Sequence, residues 1–303
     1  MPLDYSQVQF EFISHMLFIR IQSVYDTLKT AERKAADYIL RFPREFIRNT
    51  ISESAKAAGV SEATFVRIAK KLGYPGFPEL KQAAENTGEQ GPSSVIGIEV
   101  TGEQDPLDVM HKIFDSSVQA LKDTASLVDP DAYTRALDAL TGAGRIEFVG
   151  TGDAYTVAYT GYLRFTRAGF RTGCHMDFDL QLIAVSQLQK GDVLVVISYS
   201  GRTKTTMDLV KAARYVGATV LLITNFPLSP LAKASDIVLC TATFTPISSG
   251  EVMSKRVPEL CMMESLYANA LIRDYQTFSG HRVRSEAMLN LNKYEAGAAK
   301  RHQ

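Results

Sequence analysis

Apolar residues recur at steps of three and four through the N-terminal 85 residues, a spacing typical of amphipathic helices. One stripe consists of Phe10, Ile13, Leu17, Ile21, Val24 and Leu28. A second periodic run follows Thr30, covers residues 31–42 and stops at Pro43, which lacks the N–H group that a continuing helix needs. The pattern predicts an all-α domain over residues 1–85.

Residues 86–105 differ from their surroundings because they are rich in Gly, Ser and Gln and show no helical periodicity. Such composition is typical of a linker. A chain of 303 residues is long enough for two domains. We therefore expect a linker at residues 86–105 that joins the helical domain to a second domain.

Helical and strand-type runs alternate after the linker. The helical runs lie near residues 106–126, 130–141, 154–168, 178–188, 204–216, 228–234 and 251–274, and the apolar strands near 146–149, 170–175, 193–197, 219–223 and 236–240. Strands separated by helices predict an α/β domain over residues 106–274 with a doubly wound, mostly parallel sheet. Residues 275–303 form a polar, partly helical tail to which the sequence assigns no role.

Overall charge says little about partners, since 33 basic side chains balance 33 acidic ones. The segment from Lys29 to Gln82 is modestly basic, with eleven Lys or Arg against six Asp or Glu, which is compatible with phosphate contacts. Cys174, Cys240 and Cys261 are widely spaced, so we expect neither disulfides nor a metal site. We expect no cofactor.

No apolar stretch approaches the ~18 to 20 residues that a membrane-spanning helix needs. The N-terminus carries Asp4 and Glu11 and lacks a basic start, so it does not resemble a signal peptide. Unpaired cysteines are typical of a reducing compartment. We therefore expect a cytoplasmic protein with no membrane partner.

The strongest short signal lies between Thr50 and Leu72. Thr50 and Glu53 have the spacing of a capping box, which begins a short helix. Gly59 can adopt the left-handed conformation that ends it, and Ser61 can cap a second helix. Two short helices around such a turn predict a helix-turn-helix, whose second helix enters the major groove of double-stranded DNA.

The spacing of apolar residues in the second helix predicts one side that faces the core and an opposite, polar side that faces solvent. The inward residues are Phe65, Ile68, Ala69 and Leu72, and the candidate DNA contacts are Ser61, Glu62, Ala63, Thr64, Arg67, Lys70 and Lys71. Residues near the helix start suit base edges, and the basic residues suit bases or phosphates. An alternative is a helical hairpin within a core, with a solvated charged face.

Two loops that come directly after predicted strands carry candidate ligand chemistry. The loop that starts at Gly150 begins like a dinucleotide-binding fingerprint, but Tyr155 replaces its third glycine. The loop from Ser198 to Thr203 supplies the hydroxyls of Ser198, Ser200 and Thr203 immediately before a helix. Hydroxyls at a helix N-terminus suit a phosphate monoester, although a simple capped turn is the alternative.

The chain from about residue 17 to 274 resembles the RpiR family of bacterial regulators. Its N-terminal part resembles the family's helix-turn-helix at residues 30–40, at 57–67, which include Ala-Ala-Gly-Val-Ser, and at 71–81. Its C-terminal part resembles the SIS (sugar isomerase) domain, most clearly in Ser-Tyr-Ser-Gly-Arg-Thr at 198–203. The resemblance implies a regulator of carbohydrate catabolism that binds a DNA operator and a phosphosugar effector as a homodimer or homotetramer.

The resemblance also implies an effector site. Ser198, Ser200 and Thr203 would hold the phosphate, Gly150 and Gly152 would line the pocket, and Glu251 would lie near the sugar. Two positions depart from the family pattern. Ala154 stands where a phosphate-binding serine is frequent, and Asp179 where a histidine is frequent, so the identity of the sugar stays open.

Three functions remain as alternatives at this point. The first is the effector-controlled regulator, with no catalytic residues. The second is a phosphosugar isomerase or lyase of the SIS type, for which Glu251 and His175 are the available acid and base. The third is an α/β domain with a helical appendage and neither function.

Overall fold

The computed structural model describes Leu17, Arg20, Ile21 and residues 24–85, 105–242 and 255–293. Within them, a helical N-terminal part is followed by an α/β part with a five-stranded sheet. The linker predicted at residues 86–105 lies outside the described residues except for Asp105, so its boundaries stay a prediction. No helix in the described ranges is long and apolar enough to span a bilayer.

Within residues 24–85, the N-terminal part contains a short 3-10 turn at Tyr25–Thr27 and five helices. These are α1 (Thr30–Arg41), α2 (Pro43–Arg48), α3 (Ile51–Ala58), α4 (Glu62–Lys71) and α5 (Phe77–Glu85). Phe46, Phe65 and Phe77 meet at the centre of their core, with ring centroids 5.5 to 5.9 Å apart. The all-α prediction for the described part of this domain is therefore confirmed.

Local chemistry sets the ends of these helices. The Thr50 backbone N–H donates to Glu53 Oε2 at 2.7 Å, and the Glu53 N–H donates back to Thr50 Oγ1 at 3.3 Å, which completes the predicted capping box at the start of α3. Gly59 has φ 63° and ends the same helix in the left-handed conformation. Pro43 follows α1 and occupies the first turn of α2, where its missing N–H costs nothing.

The second part alternates helices and strands as predicted. It contains α6 (Pro106–Leu127), α7 (Pro130–Gly142), β1 (Ile146–Gly150), α8 (Ala154–Arg167), β2 (Thr172–Cys174), α9 (Phe178–Ser186), β3 (Val193–Ile197), α10 (Lys204–Tyr215), β4 (Thr219–Thr224), α11 (Pro230–Ala234), β5 (Ile237–Cys240), α12 (Arg256–Arg273) and α13 (Tyr275–Asn290). The helix expected to begin at residue 251 is described only from Arg256 onward, because residues 243–254 lie outside the described ranges.

The sheet has the order β2-β1-β3-β4-β5, and every described strand pair is parallel. Gly150 pairs with Ile197, and Ile197 pairs with Ile223, so these three strands end at the same level. Apolar clusters cover both faces, one built with α7, α8 and α12 and the other with α9, α10 and α11. This arrangement confirms the doubly wound parallel sheet.

The strand order places a topological switch point between β1 and β3. From β1 the chain crosses to β2 on one side, and from β3 it crosses to β4 on the other. The loops that leave these neighbouring strands therefore diverge, and ligands of open α/β sheets bind in the crevice that results. Here those loops begin after Gly150 and after Ile197.

Phe65 provides a test of the helical core, because its side chain is fully buried against Tyr38, Phe46 and Phe77. We expect Phe65→Ala to lower the free energy of unfolding by about 3–5 kcal/mol through lost burial and a residual cavity. Tyr215→Ala is the control, since Tyr215 is 93% exposed. Denaturant unfolding measures both; equal effects would contradict the packing.

Candidate effector-binding and DNA-binding sites

A cavity of about 220 Å³ lies at the switch point of the sheet. Its walls come from the loop after β1, the loop after β3 and the start of α12. The lining residues are Thr151, Asp153, Ala154, Ile197, Ser198, Tyr199, Ser200, Thr203, Thr206, Lys255 and Arg256. The two loops that the sequence singled out therefore meet at one cavity, together with Lys255 and Arg256 at the start of α12, which the sequence analysis did not name.

One side of the cavity is rich in hydroxyl groups. Ser198, Ser200 and Thr203 come from the loop after β3, and Thr206 lies in the first turn of α10. Thr203 is the N-cap residue of α10, yet its side chain makes no capping hydrogen bond. The N-terminal N–H groups of a helix carry partial positive charge, so this side suits an anion.

Gly201 determines the shape of the hydroxyl-bearing loop. Its φ of 62° is left-handed, and a Cβ atom there would lie 2.0 Å from Ser229 Oγ. The Leu231 N–H also donates to the Gly201 carbonyl at 3.1 Å, which ties the loop to α11. Only glycine fits both the conformation and the close approach.

The other side of the cavity carries two cations and one carboxylate. The Arg256 guanidinium donates through Nε to Asp153 Oδ2 at 3.0 Å and through its NH2 group to Oδ1 at 2.7 Å. Lys255 Nζ lies 3.2 Å from Asp153 Oδ2. The hydrogen bonds from Arg256, with those from Lys255, hold the pKa of Asp153 below its usual range despite partial burial.

Glu259 contacts Arg256 from the core side of this cluster. Its side chain is fully buried, one carboxylate oxygen accepts from the NH1 group of Arg256, and Oε1 has no hydrogen-bond partner among the described residues. Burial raises the pKa of Glu259 to about 7, and the Arg256 charge only partly opposes that effect. Arg256 is thus held between two carboxylates, one at the cavity and one in the core.

The predicted effector residues have different outcomes. Ser198, Ser200 and Thr203 do lie together at the cavity. Gly150 and Gly152 are not among the lining residues, which in their loop are Thr151, Asp153 and Ala154, so their role at the cavity stays a prediction. A Cβ atom at Gly150 would lie 2.6 Å from the Ala154 carbonyl oxygen, so this glycine serves the close approach of β1 to α8. Glu251 lies outside the described residues.

Sequence reasoning missed Asp153, Lys255 and Arg256. A usable signal was present, because two adjacent cations at the start of a long helix oppose its dipole and therefore point to an anionic partner. His175, the base considered for an isomerase, is not among the cavity-lining residues. Its carbonyl accepts a hydrogen bond from Gln181 Nε2 at 2.7 Å.

The second helix of the helix-turn-helix, α4, presents most of the predicted DNA contacts to solvent. Ser61, Glu62, Ala63, Arg67, Lys70 and Lys71 are exposed. Thr64 was expected on the outward side as well, but it is buried, with 1% of its surface exposed. Its hydroxyl lies 3.0 Å from Ser61 Oγ and accepts from the NH2 group of Arg67 at 3.1 Å, so it faces the helix start rather than solvent.

Lys71 differs from the other two cations of α4. Its Nζ lies 2.7 Å from Glu32 Oε2, and the same oxygen accepts from the Lys29 N–H at 2.8 Å. Burial alone would raise the pKa of Glu32, but the hydrogen bonds from Lys71 and Lys29 lower it overall. Lys71 therefore ties α4 to α1, while Arg67 and Lys70 form the exposed basic face.

Comparison with known proteins gives the same two-part organisation. The helix-turn-helix domain of the rpiR family matches residues 16–89, and the SIS domain matches residues 139–268. An uncharacterized HTH-type transcriptional regulator of Caldanaerobacter subterraneus is 31% identical over 90% of this chain and 96% of its own length. HexR, an HTH-type transcriptional regulator of Pseudomonas aeruginosa, is 33% identical over 92% and 97%.

A solved structure is similar over almost the same length. The NanR protein of Vibrio vulnificus, complexed with ManNAc-6P, has a TM-score of 0.58 and 25% identity. The match covers 91% of this chain and 98% of NanR. The order of a helical part and a sheet with helices on both faces is therefore shared with that protein.

The buried carboxyl of Glu259 predicts a pH dependence of stability. Its pKa is about 7 in the folded protein against 4.5 ordinarily, so the folded state binds more protons between those pH values. The free energy of unfolding of the wild type, relative to Glu259→Gln, should therefore fall as pH rises from about 4.5 to 7. Denaturant unfolding across this range measures the difference.

Glu264→Gln is the matched control, because Glu264 is a partly exposed glutamate of the same helix and is paired with Arg164. Its stability difference from the wild type should change little over the same pH range. A flat or rising difference for Glu259→Gln would show that Glu259 is ionised throughout.

Proposed function

Because the chain belongs to the rpiR family of helix-turn-helix proteins and carries a SIS domain, we propose that it is a transcription regulator. In this proposal the N-terminal part binds a double-stranded DNA operator, and the α/β part binds a phosphosugar effector that modulates that binding. The observation that carries the proposal is the cavity at the switch point, where hydroxyls, a helix N-terminus and two cations converge.

The chemistry of the cavity favours a phosphate monoester. Three hydroxyls of the Ser198–Thr203 loop can donate to phosphate oxygens, the start of α10 adds backbone N–H groups, and Lys255 and Arg256 supply positive charge. A similar protein, NanR, was solved with ManNAc-6P, which is a ligand of this class. The effector of this chain would bind with its phosphate toward α10.

The DNA-binding part of the proposal is supported by α4. Arg67 and Lys70 are exposed on the second helix of the helix-turn-helix, and Glu62 and Ala63 are exposed at its start. This is the arrangement in which helix-start residues reach base edges while cations contact phosphates. The effector can change operator affinity only if it binds one arrangement of a homodimer or homotetramer more tightly than another.

We propose regulation rather than catalysis. Isomerisation needs an acid and a base positioned at the reacting carbons. His175 does not line the cavity, and Glu259 lies behind Arg256 without lining it. Turnover of any member of a panel of sugar phosphates by the wild-type protein would favour the isomerase alternative.

A thermal-shift screen tests the effector assignment directly. The purified full chain is heated with a panel of sugar phosphates, each paired with its unphosphorylated parent sugar. A ligand that binds only the folded state raises the melting temperature. Stabilisation by a phosphosugar but not by its free sugar supports the proposal, and a panel without any binder contradicts it.

Ser200→Ala tests the phosphate site within that screen. Removal of this hydroxyl should abolish the shift given by the effector and its influence on operator binding, while operator binding without effector stays normal. Ser186→Ala is the control, because Ser186 is an exposed serine at the end of α9, where its hydroxyl donates to a helix carbonyl. A normal dose response in Ser200→Ala would place the phosphate elsewhere.

Arg67→Ala tests the DNA-binding face. We expect operator affinity to fall by roughly 1–3 kcal/mol, the range for a base or phosphate contact by arginine, without loss of folding. Arg135→Ala removes the same charge from an exposed position on α7 and should leave affinity unchanged. Electrophoretic mobility or fluorescence anisotropy measures the change; equal affinities for all three proteins would remove Arg67 from the interface.

A further inference from the structure

The cations of the effector cavity already have an anionic partner. Asp153 accepts two hydrogen bonds from Arg256, one at each carboxylate oxygen. Its Oδ2 also forms an ion pair with Lys255. Asp153, Lys255 and Arg256 all line the same cavity as the hydroxyl loop. An incoming phosphate would therefore meet two cations whose charge is engaged by a side chain of the protein itself.

We propose that Asp153 is an internal counter-ion of the effector site, which a bound phosphate displaces from Lys255 and Arg256. This inference rests on the proposed phosphosugar function of the cavity. It assigns a specificity-determining role to a residue in the first glycine loop, next to Ala154, where the hydroxyl of a serine is missing. The carboxylate lowers the affinity for anions and makes binding depend on the charge of the ligand.

Asp153, rather than Glu259, is the carboxylate that a bound phosphate can displace from Arg256. The Asp153 side chain is 41% exposed and faces the cavity, whereas that of Glu259 is fully buried. Asp153 precedes α8, but its side chain makes no capping hydrogen bond to that helix. No helix cap is therefore lost when the carboxylate swings toward solvent.

The cations are held in place independently of Asp153. Arg256 keeps its hydrogen bond to Glu259, which anchors the guanidinium from the core side. Lys255 Nζ lies 5.6 Å from the centre of the Tyr199 ring, within cation–π range. Both cations can therefore remain at the cavity and bind phosphate oxygens once the aspartate has left.

Neutralising Asp153 should strengthen anion binding. Like charges placed close together disfavour binding, so the Asp153 carboxylate opposes the approach of an anion. We therefore expect Asp153→Asn to bind inorganic phosphate roughly tenfold more tightly than the wild type. Isothermal titration calorimetry of the full chain at fixed ionic strength and pH measures this, and sulfate serves as a second dianion.

Asp138→Asn is the matched control, because Asp138 is an exposed aspartate paired with an arginine, Arg273, and does not line the cavity. It should leave phosphate affinity unchanged. Asp153→Ala should also bind phosphate more tightly. Because alanine cannot hydrogen-bond to phosphate, this variant excludes a direct contribution of the asparagine side chain. A structural role for Asp153 would instead weaken binding in both variants and overturn the inference.

The outcomes separate this inference from the proposed function. Phosphate binding that Ser200→Ala abolishes and Asp153→Asn leaves unchanged keeps the effector site and rejects the counter-ion. Phosphate binding that is absent from the wild type and from both Asp153 variants rejects both ideas. Tighter binding in both Asp153 variants, with no change in Asp138→Asn, supports the counter-ion.

Discussion

The crevice between β1 and β3 is the constraint on which the α/β part depends. It exists because the chain leaves two adjacent parallel strands in opposite directions, which opens a space above their carboxyl ends. Polar residues there need partners, since buried charge and unpaired hydroxyls are costly. The Ser198–Thr203 loop, Asp153 and the first residues of α12 supply one another with some of those partners and leave room for a ligand.

The ion cluster links segments that lie more than 100 residues apart in sequence. Arg256 joins the start of α12 to the loop after β1 through Asp153, and to the core through Glu259. Buried ion pairs contribute little net stability, because desolvation offsets much of the attraction. The position of these pairs at a cavity therefore fits the proposed binding role better than a purely structural one. A ligand that competes for Arg256 would loosen one link and leave the other.

Much of the fold follows from local pattern, and much of the site does not. The apolar run at 193–197, the capping box at Thr50 and the hydroxyls after β3 each depend on residues a few positions apart, so the sequence predicts them. Thr64 was misplaced because it lies one helical turn before Ile68 and so borders the buried face of α4, which its polar residue type did not suggest. The pairing of Asp153 with Arg256 spans 103 positions, and only the folded sheet brings those residues together.

The contact between Lys71 and Glu32 bears on how ionic strength would affect the proposed operator binding. A cation contributes to the salt dependence of DNA binding when it replaces counterions condensed on a phosphate. Lys71 is already hydrogen-bonded to the buried carboxylate of Glu32, whereas the guanidinium of Arg67 donates to the Thr64 hydroxyl. The number of counterions released by each bound helix would therefore be smaller than a count of its basic residues implies, with Glu32 acting as a permanent substitute for one DNA phosphate.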